Sequence, residues 1–262
     1  MQGNIYIFDK LGNYIKAMGG KGQGPGEFQS PKRIGIDSED RVNVLDNRKL
    51  HLFDNKFEFI KTIPLDAAAT FCCLTDCGNI LSLGMEFGPE GLIFKIDILS
   101  PDGKITNEID EVLISRENMG NPRAETNTDP MLYLSRLDNV RSIYGKSSEY
   151  RLYVLDSLGR IVRIIERDES QKKKLSFFGF LASEEGLIFV NRKGIEAKKG
   201  QPTSLDIFNA AGNYIYKAFT NGINAHIIRV GYLYSSVYDS EVGAFFIKRY
   251  KINNWNQIKE GS

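Results

Sequence analysis

The sequence lacks an excess of charge of either sign. Its 34 lysine and arginine residues balance 33 aspartate and glutamate residues over 262 positions, so the formal net charge is +1. A protein that attracts nucleic acid or an anionic membrane over long distances needs a strongly basic face, which this balance does not favour. We therefore predict no nucleic-acid partner. The hydrophobic content of 42% is typical of globular proteins and excludes a wholly disordered chain.

Long apolar runs are also missing. None approaches the ~18–20 residues that a membrane-spanning helix needs, so no membrane span is predicted. The first four residues show neither the basic region nor the apolar stretch of a secretory leader, and strand-like sequence begins at Ile5. We expect either a cytoplasmic protein or one whose leader lies outside this sequence.

Cysteine and histidine are scarce, with three and two residues respectively. Cys72, Cys73 and Cys77 fall within six positions, which excludes a disulfide-rich scaffold. His51 and His226 are far from them in sequence, so a tetrahedral metal site lacks evident ligands. We predict buried or turn cysteines, no catalytic residues, no metal and no cofactor; metal or redox use of the cysteines is the alternative.

The sequence does contain an internal repeat. A strand–turn–strand unit recurs six times, and the residues at its turn marker are 12, 57, 103, 159, 212 and 256. The markers are 44 to 56 residues apart, which is the period of a four-stranded propeller blade. Glycine at the marker accepts the positive φ of a tight turn, whereas Phe57 does not suit it and predicts a different loop. The last copy, residues 251–258, is degenerate and predicts a further hairpin.

Between successive copies lie two more strand-like runs, rich in β-branched and aromatic residues. Helical periodicity is nowhere sustained. We predict one all-β domain over residues 1–262, a six-bladed β-propeller with a half blade at 1–20 and blades at 21–65, 66–111, 112–168, 169–221 and 222–262. The third interval is stretched, and residues 115–130 are predicted to be a surface insertion.

A glycine-rich segment at residues 20–26 is open to a nucleotide-binding interpretation. A dinucleotide fingerprint opens a helix, but here Pro25 interrupts the pattern and a strand follows. A phosphate loop ends in Gly-Lys-Ser/Thr, whereas Glu27 and Phe28 stand there instead. We interpret the segment as a connector between blades, in which Phe28 fills the space between sheets and Pro31 starts the next strand.

Residues 19–31, followed by strand-like runs at 34–37, 42–46 and 50–54, resemble an NHL repeat. More narrowly, the sequence is similar to the six-bladed β-propeller family, NHL-repeat-like and TolB-like, of secreted bacterial lipoproteins. The resemblance is specific over residues 4–60 and becomes a blade-period pattern beyond them. It implies a periplasmic or cell-surface location, with a lipid anchor in a full-length form.

The chain departs from the family pattern at its start. In the family, two inner strands, a leader and a lipid-bearing cysteine precede the first outer hairpin, whereas here that hairpin begins at Asn4. We therefore expect 22 strands instead of 24, with the first blade lacking its two inner strands, and a chain or gene model shortened at its N-terminus.

The predicted inner strands indicate where a ligand would bind. In propellers these strands line a central channel, and side chains at its mouth converge on ligands. The candidate ligand-binding residues are Arg33, Asp37, Tyr133, Arg136, His226 and Arg229. The alternative is that they are solvated or salt-bridged wall residues.

The predicted function is a non-catalytic binding or scaffold module, monomeric, that engages a protein or a glycan at the channel mouth or the loops. The competing prediction is a metal-dependent hydrolase or lyase, because similar propellers include lactonase-like and lyase-like enzymes with a metal at the channel mouth. A third is an assembly role for the insertion at residues 115–130.

Overall fold

The structure, a computed structural model, describes residues 3–117, 131–147, 149–166, 177–183, 185–192, 203–220 and 227–260. Within these ranges the chain forms 21 strands and one short helix, which confirms the predicted all-β class. The strands form six sheets of two, four, four, four, four and three strands in chain order. Consecutive strands are neighbours in every sheet, as in a propeller blade. No helix in these ranges is long and apolar enough to cross a membrane.

The first of two compact units comprises Met1–Leu132 and Ser157–Gly159. Its first sheet has the two strands β1 (Asn4–Phe8) and β2 (Tyr14–Gly19). The second sheet contains β3 (Pro31–Ile36), β4 (Val42–Asp46), β5 (Lys49–Phe53) and β6 (Phe59–Pro64). The third contains β7 (Ala69–Leu74), β8 (Ile80–Phe87), β9 (Gly91–Leu99) and β10 (Ile105–Ser115).

The second unit comprises Tyr133–Asp156 and Arg160–Ser262. Its first sheet contains β11 (Leu132–Arg136), β12 (Ser142–Lys146), β13 (Arg151–Leu155) and β14 (Ile161–Glu166). The next contains β15 (Phe177–Ala182), β16 (Ile188–Arg192), β17 (Thr203–Phe208) and β18 (Tyr214–Thr220). The last contains β19 (Ile227–Arg229), β20 (Tyr232–Asp239) and β21 (Ala244–Lys251), before helix α1 (Trp255–Glu260). Most of the predicted insertion, residues 118–130, lies outside the described residues.

The repeated hairpins share one side-chain-capped turn. In the first, the Asp9 carboxylate accepts the backbone N–H of Leu11 at 2.8 Å and of Asn13 at 2.9 Å. Gly12 takes a φ of 88°, which glycine adopts without a steric penalty. Equivalent caps in later copies are Asp54, Asp156 and Asn209. The repeat in the sequence is therefore a repeat of this turn.

Phe57 adopts the same turn, so the prediction of a different loop there is wrong. Its φ is 68°, and its N–H donates to the Asp54 carbonyl at 3.0 Å. The ring packs against the cluster that contains Phe28, and the Lys16 ammonium lies 5.3 Å from its centroid. These contacts offset the unfavourable left-handed backbone of a residue with a Cβ.

The glycine-rich connector is structural, as predicted. Phe28 is fully buried in a cluster with residues of the first and second sheets, and β3 begins at Pro31. A Cβ on Gly19 would lie 2.1 Å from the Phe28 ring, so only glycine leaves room for that ring. The Glu27 carboxylate accepts the N–H of Gly24 at 2.8 Å, which holds the loop closed.

The end of the chain is helical, so the prediction of a sixth hairpin over residues 251–258 is wrong. Trp255 and Ile258 lie three residues apart, on one face of α1, and both are buried. The Trp255 ring stacks on Phe189 with centroids 6.3 Å apart. Burial of this apolar pair favours a helical turn over the strand that the degenerate repeat indicated.

Candidate functional site

Two of the predicted site residues, Asp37 and Arg33, lie in the first unit, and both contact other residues of that unit. Asp37 is 6% exposed and accepts the backbone N–H groups of Glu39 and Arg41, both at 3.0 Å. Its other oxygen accepts the Arg41 Nε–H at 2.8 Å. Asp37 thus caps the β3–β4 turn. The Arg33 guanidinium lies 5.8 Å from the ring centroid of Phe71.

The remaining predicted residues belong to the second unit. The Tyr133 ring packs on Phe177 at 5.6 Å, and burial raises the pKa of the phenol. Arg136 donates to two main-chain carbonyls of the following turn, at 2.9 and 3.1 Å. Arg229 is exposed on β19, and His226 lies outside the described residues. A ligand-binding role for the six predicted residues stays a prediction.

A cavity of about 190 Å³ lies in the first unit, beside strands β8 and β9. Its walls come from the β4–β5 turn of the second sheet, from the β6–β7 connector and from the third sheet. The charged residues that line it are Arg48, Asp66, Glu86, Lys95 and Asp97. We call this cavity the Asp97 pocket. It is the candidate functional site, and none of the residues predicted from sequence lines it.

A glycine in the third sheet leaves the space for this pocket. Gly84 pairs with Lys95 across β8 and β9, and the neighbouring Met85 N–H donates to the Ala68 carbonyl at 3.2 Å. A Cβ on Gly84 would lie 3.3 Å from that carbonyl and 3.9 Å from Asp97 Oδ2. A larger side chain at position 84 would therefore project into the pocket.

Asp97 is the buried acid of the pocket. It is only 2% exposed, and its Oδ1 has no hydrogen-bond partner among the residues that the structure describes. Burial, with the negative charge of Glu108 as a second cause, raises the pKa of Asp97 to about 6. The carboxyl therefore changes charge near neutral pH, unlike an ordinary aspartate.

The other charged groups of the pocket already have partners. Lys95 Nζ lies 3.1 Å from a Glu86 carboxylate oxygen. Asp66 pairs with Lys104 at 3.0 Å, and the hydrogen bond from Lys104 lowers the pKa of Asp66. The Arg48 guanidinium donates to the main-chain carbonyl of Asp66. Among the charged residues that line the pocket, Asp97 alone has a buried side-chain oxygen without a hydrogen-bond partner.

The cysteines are buried or in a turn, as predicted. Cys72 and Cys73 are buried in β7, and Cys77 is exposed in the β7–β8 turn. Burial raises the pKa of Cys72 to about 12, so its thiol stays protonated and is a poor nucleophile. Among the described residues, no group of three or more His, Cys, Asp or Glu side chains is arranged to hold a metal ion.

His51 belongs to a second buried polar cluster. Its Nδ1 lies 2.9 Å from the Thr62 hydroxyl, and its Nε2 lies 4.0 Å from Asp46. Burial lowers the pKa of the imidazole and favours its neutral form. Asp46 also accepts the N–H groups of Gln29 and Ser30, both at 2.7 Å, so this cluster fixes the connector onto the second sheet.

The sequence contains no signal that Asp97 is buried. In β9, Lys95 and Asp97 alternate with apolar residues such as Ile96. Such alternation ordinarily places the charged side chains on the exposed face of a strand, whereas Asp97 is 2% exposed. Arg48 comes from a turn of the second sheet, and Asp66 comes from the β6–β7 connector. These residues lie near Asp97 only because the sheets pack together, and no sequence pattern indicates that packing.

Comparisons with known proteins identify the fold. Residues 1–110 match a protein-family model described as a 6-bladed beta-propeller, DUF5128. The crystal structure of a candidate exported protein from Bacteroides fragilis has a TM-score of 0.57 and 12% identity, over 95% of this chain and 84% of that one. The crystal structure of a DUF4221 member from Bacteroides vulgatus has a TM-score of 0.59 and 14% identity, over 94% of this chain and 86% of that one. No curated protein matches the sequence. The predicted β-propeller class is confirmed, and identities this low show the fold alone.

Proposed function

We propose that this propeller is a non-catalytic binding module that engages a protein or a glycan. The observation that supports the proposal is the state of Asp97 in its pocket. Burying a carboxylate without a hydrogen-bond partner reduces stability. Ionisable groups held in such an environment are typical of functional sites. A ligand that donates a hydrogen bond to Asp97 would supply the interaction that the protein itself leaves open.

Binding is tested with the full chain on arrays of glycans and peptides at pH 7.5. We expect saturable binding that is lost in Gly84→Val, because the valine side chain would occupy the pocket. Asp76→Asn, an exposed change in a turn of the same sheet, is the matched control and retains binding. Binding that survives Gly84→Val would contradict a role for this pocket, and circular dichroism shows whether that variant is folded.

The second candidate function is a metal-dependent hydrolase or lyase with its site at the channel mouth. Calorimetric titration with Ca²⁺ and Zn²⁺ separates the two classes. We expect no stoichiometric heat from the binding module. Tight stoichiometric binding of either ion would overturn the non-catalytic proposal.

The six residues predicted from sequence are also proposed to contact a ligand, namely Arg33, Asp37, Tyr133, Arg136, His226 and Arg229. We expect Arg229→Ala and His226→Ala to weaken binding of the full chain to the glycan and peptide arrays. Binding by both variants at the wild-type level would remove them from the proposal. Sedimentation of the same preparations tests the proposed monomeric state.

We also propose a location in the periplasm or at the cell surface. The support is the resemblance to secreted lipoproteins, together with the candidate exported protein of similar fold from Bacteroides fragilis. Fractionation of cells that express the gene from its native locus tests this. Recovery of the protein in the cytosolic fraction alone would contradict it.

A further inference from the structure

We propose that the Asp97 pocket binds the protonated amine of a lysine side chain presented by a protein partner. This inference rests on the proposed binding function and names the chemical group that the site recognises. It follows from the charges around Asp97, from the walls of the pocket and from the burial of the carboxyl.

The charges near Asp97 favour a cation. Besides Lys95, the groups that act on this carboxyl are Glu86, Glu108 and Glu111, so acids outnumber bases around it. Glu86 and Glu111 lie 3.1 and 4.0 Å from Lys95 Nζ, which therefore already has two acidic neighbours. When Asp97 is ionised, an incoming ammonium group would compensate its charge and donate up to three hydrogen bonds.

The other cationic residue of the pocket, Arg48, is engaged by different contacts. It donates through Nε to the Leu65 carbonyl at 3.5 Å, and through Nη2 to the Asp66 carbonyl. Asp66 in turn accepts from the Ile105 N–H at 3.2 Å and from Lys104 at 3.0 Å. Lys95 attracts Asp97 electrostatically, but its ion pairs are with Glu86 and Glu111. A ligand ammonium group would contact the Asp97 carboxylate directly.

The uncharged walls suit an alkyl chain. Ala67 and Ala68 line the pocket together with Asp97, and its lining contains no aromatic side chain among the described residues. Apolar walls beside a buried carboxylate match a side chain with a methylene stem and a charged end. A sugar ring commonly stacks on an aromatic side chain, so the walls favour lysine over an amino sugar.

Binding of an amine at this carboxyl should depend on pH. Because the pKa of Asp97 is raised to about 6, the carboxyl is mostly protonated at pH 5 and mostly ionised at pH 7.5. A lysine ammonium, with a pKa of about 10.4, is charged at both values. The affinity for the amine should therefore increase as the pH rises, by about tenfold over this range.

Calorimetry or NMR titration of the full chain tests the proposal with Nα-acetyl-lysine methylamide. The norleucine analogue has a similar stem without the ammonium, and glucosamine carries the amine on a sugar. We expect the lysine probe to bind at pH 7.5, and the norleucine analogue to bind at least about tenfold more weakly. Asp97→Asn should abolish the preference for lysine, whereas Asp76→Asn should retain it.

The inference would be overturned by equal affinity for lysine and norleucine, by a preference for glucosamine, or by unchanged lysine binding in Asp97→Asn. Absence of lysine binding, combined with array binding that Gly84→Val removes, would also overturn it while the proposed function stands. Loss of both array binding and lysine binding would remove the proposed function as well.

Discussion

The Asp97 carboxyl and the His51 imidazole are both buried, and burial moves their pKa values in opposite directions. The pKa of Asp97 rises from 3.8 to about 6, so the folded protein binds this proton more tightly than the unfolded chain does. Its contribution to stability is complete below pH 3.8 and is lost as the pH rises through about 6. The pKa of His51 falls below 6.5, so its contribution is lost as the pH drops below 6.5.

Replacement of Asp97 by asparagine should therefore stabilise the protein at neutral pH. Asparagine removes the buried charge and keeps the shape, and we expect a gain of about 1–2 kcal/mol in unfolding free energy at pH 7.5. At pH 4, where the native carboxyl is protonated, the gain should nearly vanish. Urea unfolding at both pH values measures it, with Asp76→Asn as the exposed control. An equal gain in unfolding free energy at pH 4 and pH 7.5 would contradict the burial of an ionised Asp97 carboxylate in the native protein.

The His51 ring should remain neutral at a pH where an ordinary histidine is charged. Its neutral form accepts or donates one hydrogen bond with Thr62 and avoids a buried charge. Histidine ring NMR, recorded for the native protein and for the chain in urea, gives both pKa values. A native His51 pKa at or above that of the urea-unfolded chain would refute this assignment.

At the scale of single elements, two hairpin turns allow the stability cost of backbone strain to be measured separately from the cost of overpacking. Gly12 and Gly159 occupy the same turn position with φ of 88° and 78°. A Cβ on Gly12 meets nothing within 4 Å, whereas one on Gly159 would lie 2.6 Å from Ile98 Cγ1. Gly12→Ala should cost about 1 kcal/mol of stability through strain, and Gly159→Ala about 1–3 kcal/mol more through overpacking. Equal thermal shifts in the two variants would show that packing at Gly159 does not matter.

The same elements show what the sequence can and cannot predict. The turn and the Phe28 connector were predictable because glycine, aspartate and an aromatic residue at fixed spacing determine local structure. Phe57 misled the prediction because the packing of its ring offsets a local backbone preference. Trp255 misled it because the repeat did not indicate that its ring stacks on Phe189. An aspartate at position 37 fits a turn-capping residue as well as a ligand-binding residue, so the sequence alone does not distinguish the two roles. The structure shows that Asp37 caps the turn.

The pocket itself could not be predicted, for a different physical reason. Asp97 and Gly84 lie on neighbouring strands of one sheet, but Arg48 reaches the same cavity from a turn of the preceding sheet. Strand periodicity shows which face a side chain occupies, and it does not show which residues of the next sheet are opposite. Only the packing of the second sheet against the third brings these groups together.

At the scale of the whole molecule, buried clusters join each sheet to its neighbour in the first unit. Phe28 and Phe53 belong to a cluster shared by the first and second sheets. Leu50 and Ile80 belong to another, shared by the second and third sheets. Such a chain of interfaces makes stability depend mainly on adjacent sheets, as in repeat proteins.

Removal of the Phe28 ring should accordingly weaken one interface more than the next. Phe28→Ala leaves a cavity at a fully buried position and should cost about 3–5 kcal/mol of stability. Hydrogen exchange should accelerate most in β1 to β4 and least in β8 and β9. Phe87→Ala, at a side chain that is 74% exposed, is the control and should change little. A uniform acceleration across all three sheets would show that the unit unfolds as one block.

The three cysteines differ in a way that has a practical consequence. Cys72 and Cys73 are shielded inside β7, whereas the Cys77 sulfur is exposed at a turn, 3.3 Å from the Ser157 carbonyl oxygen. A maleimide dye should therefore attach to the native protein at Cys77 alone, without any engineered thiol. The wild-type chain thus carries its own labelling position, and the later reaction of the two shielded thiols would report the opening of the third sheet.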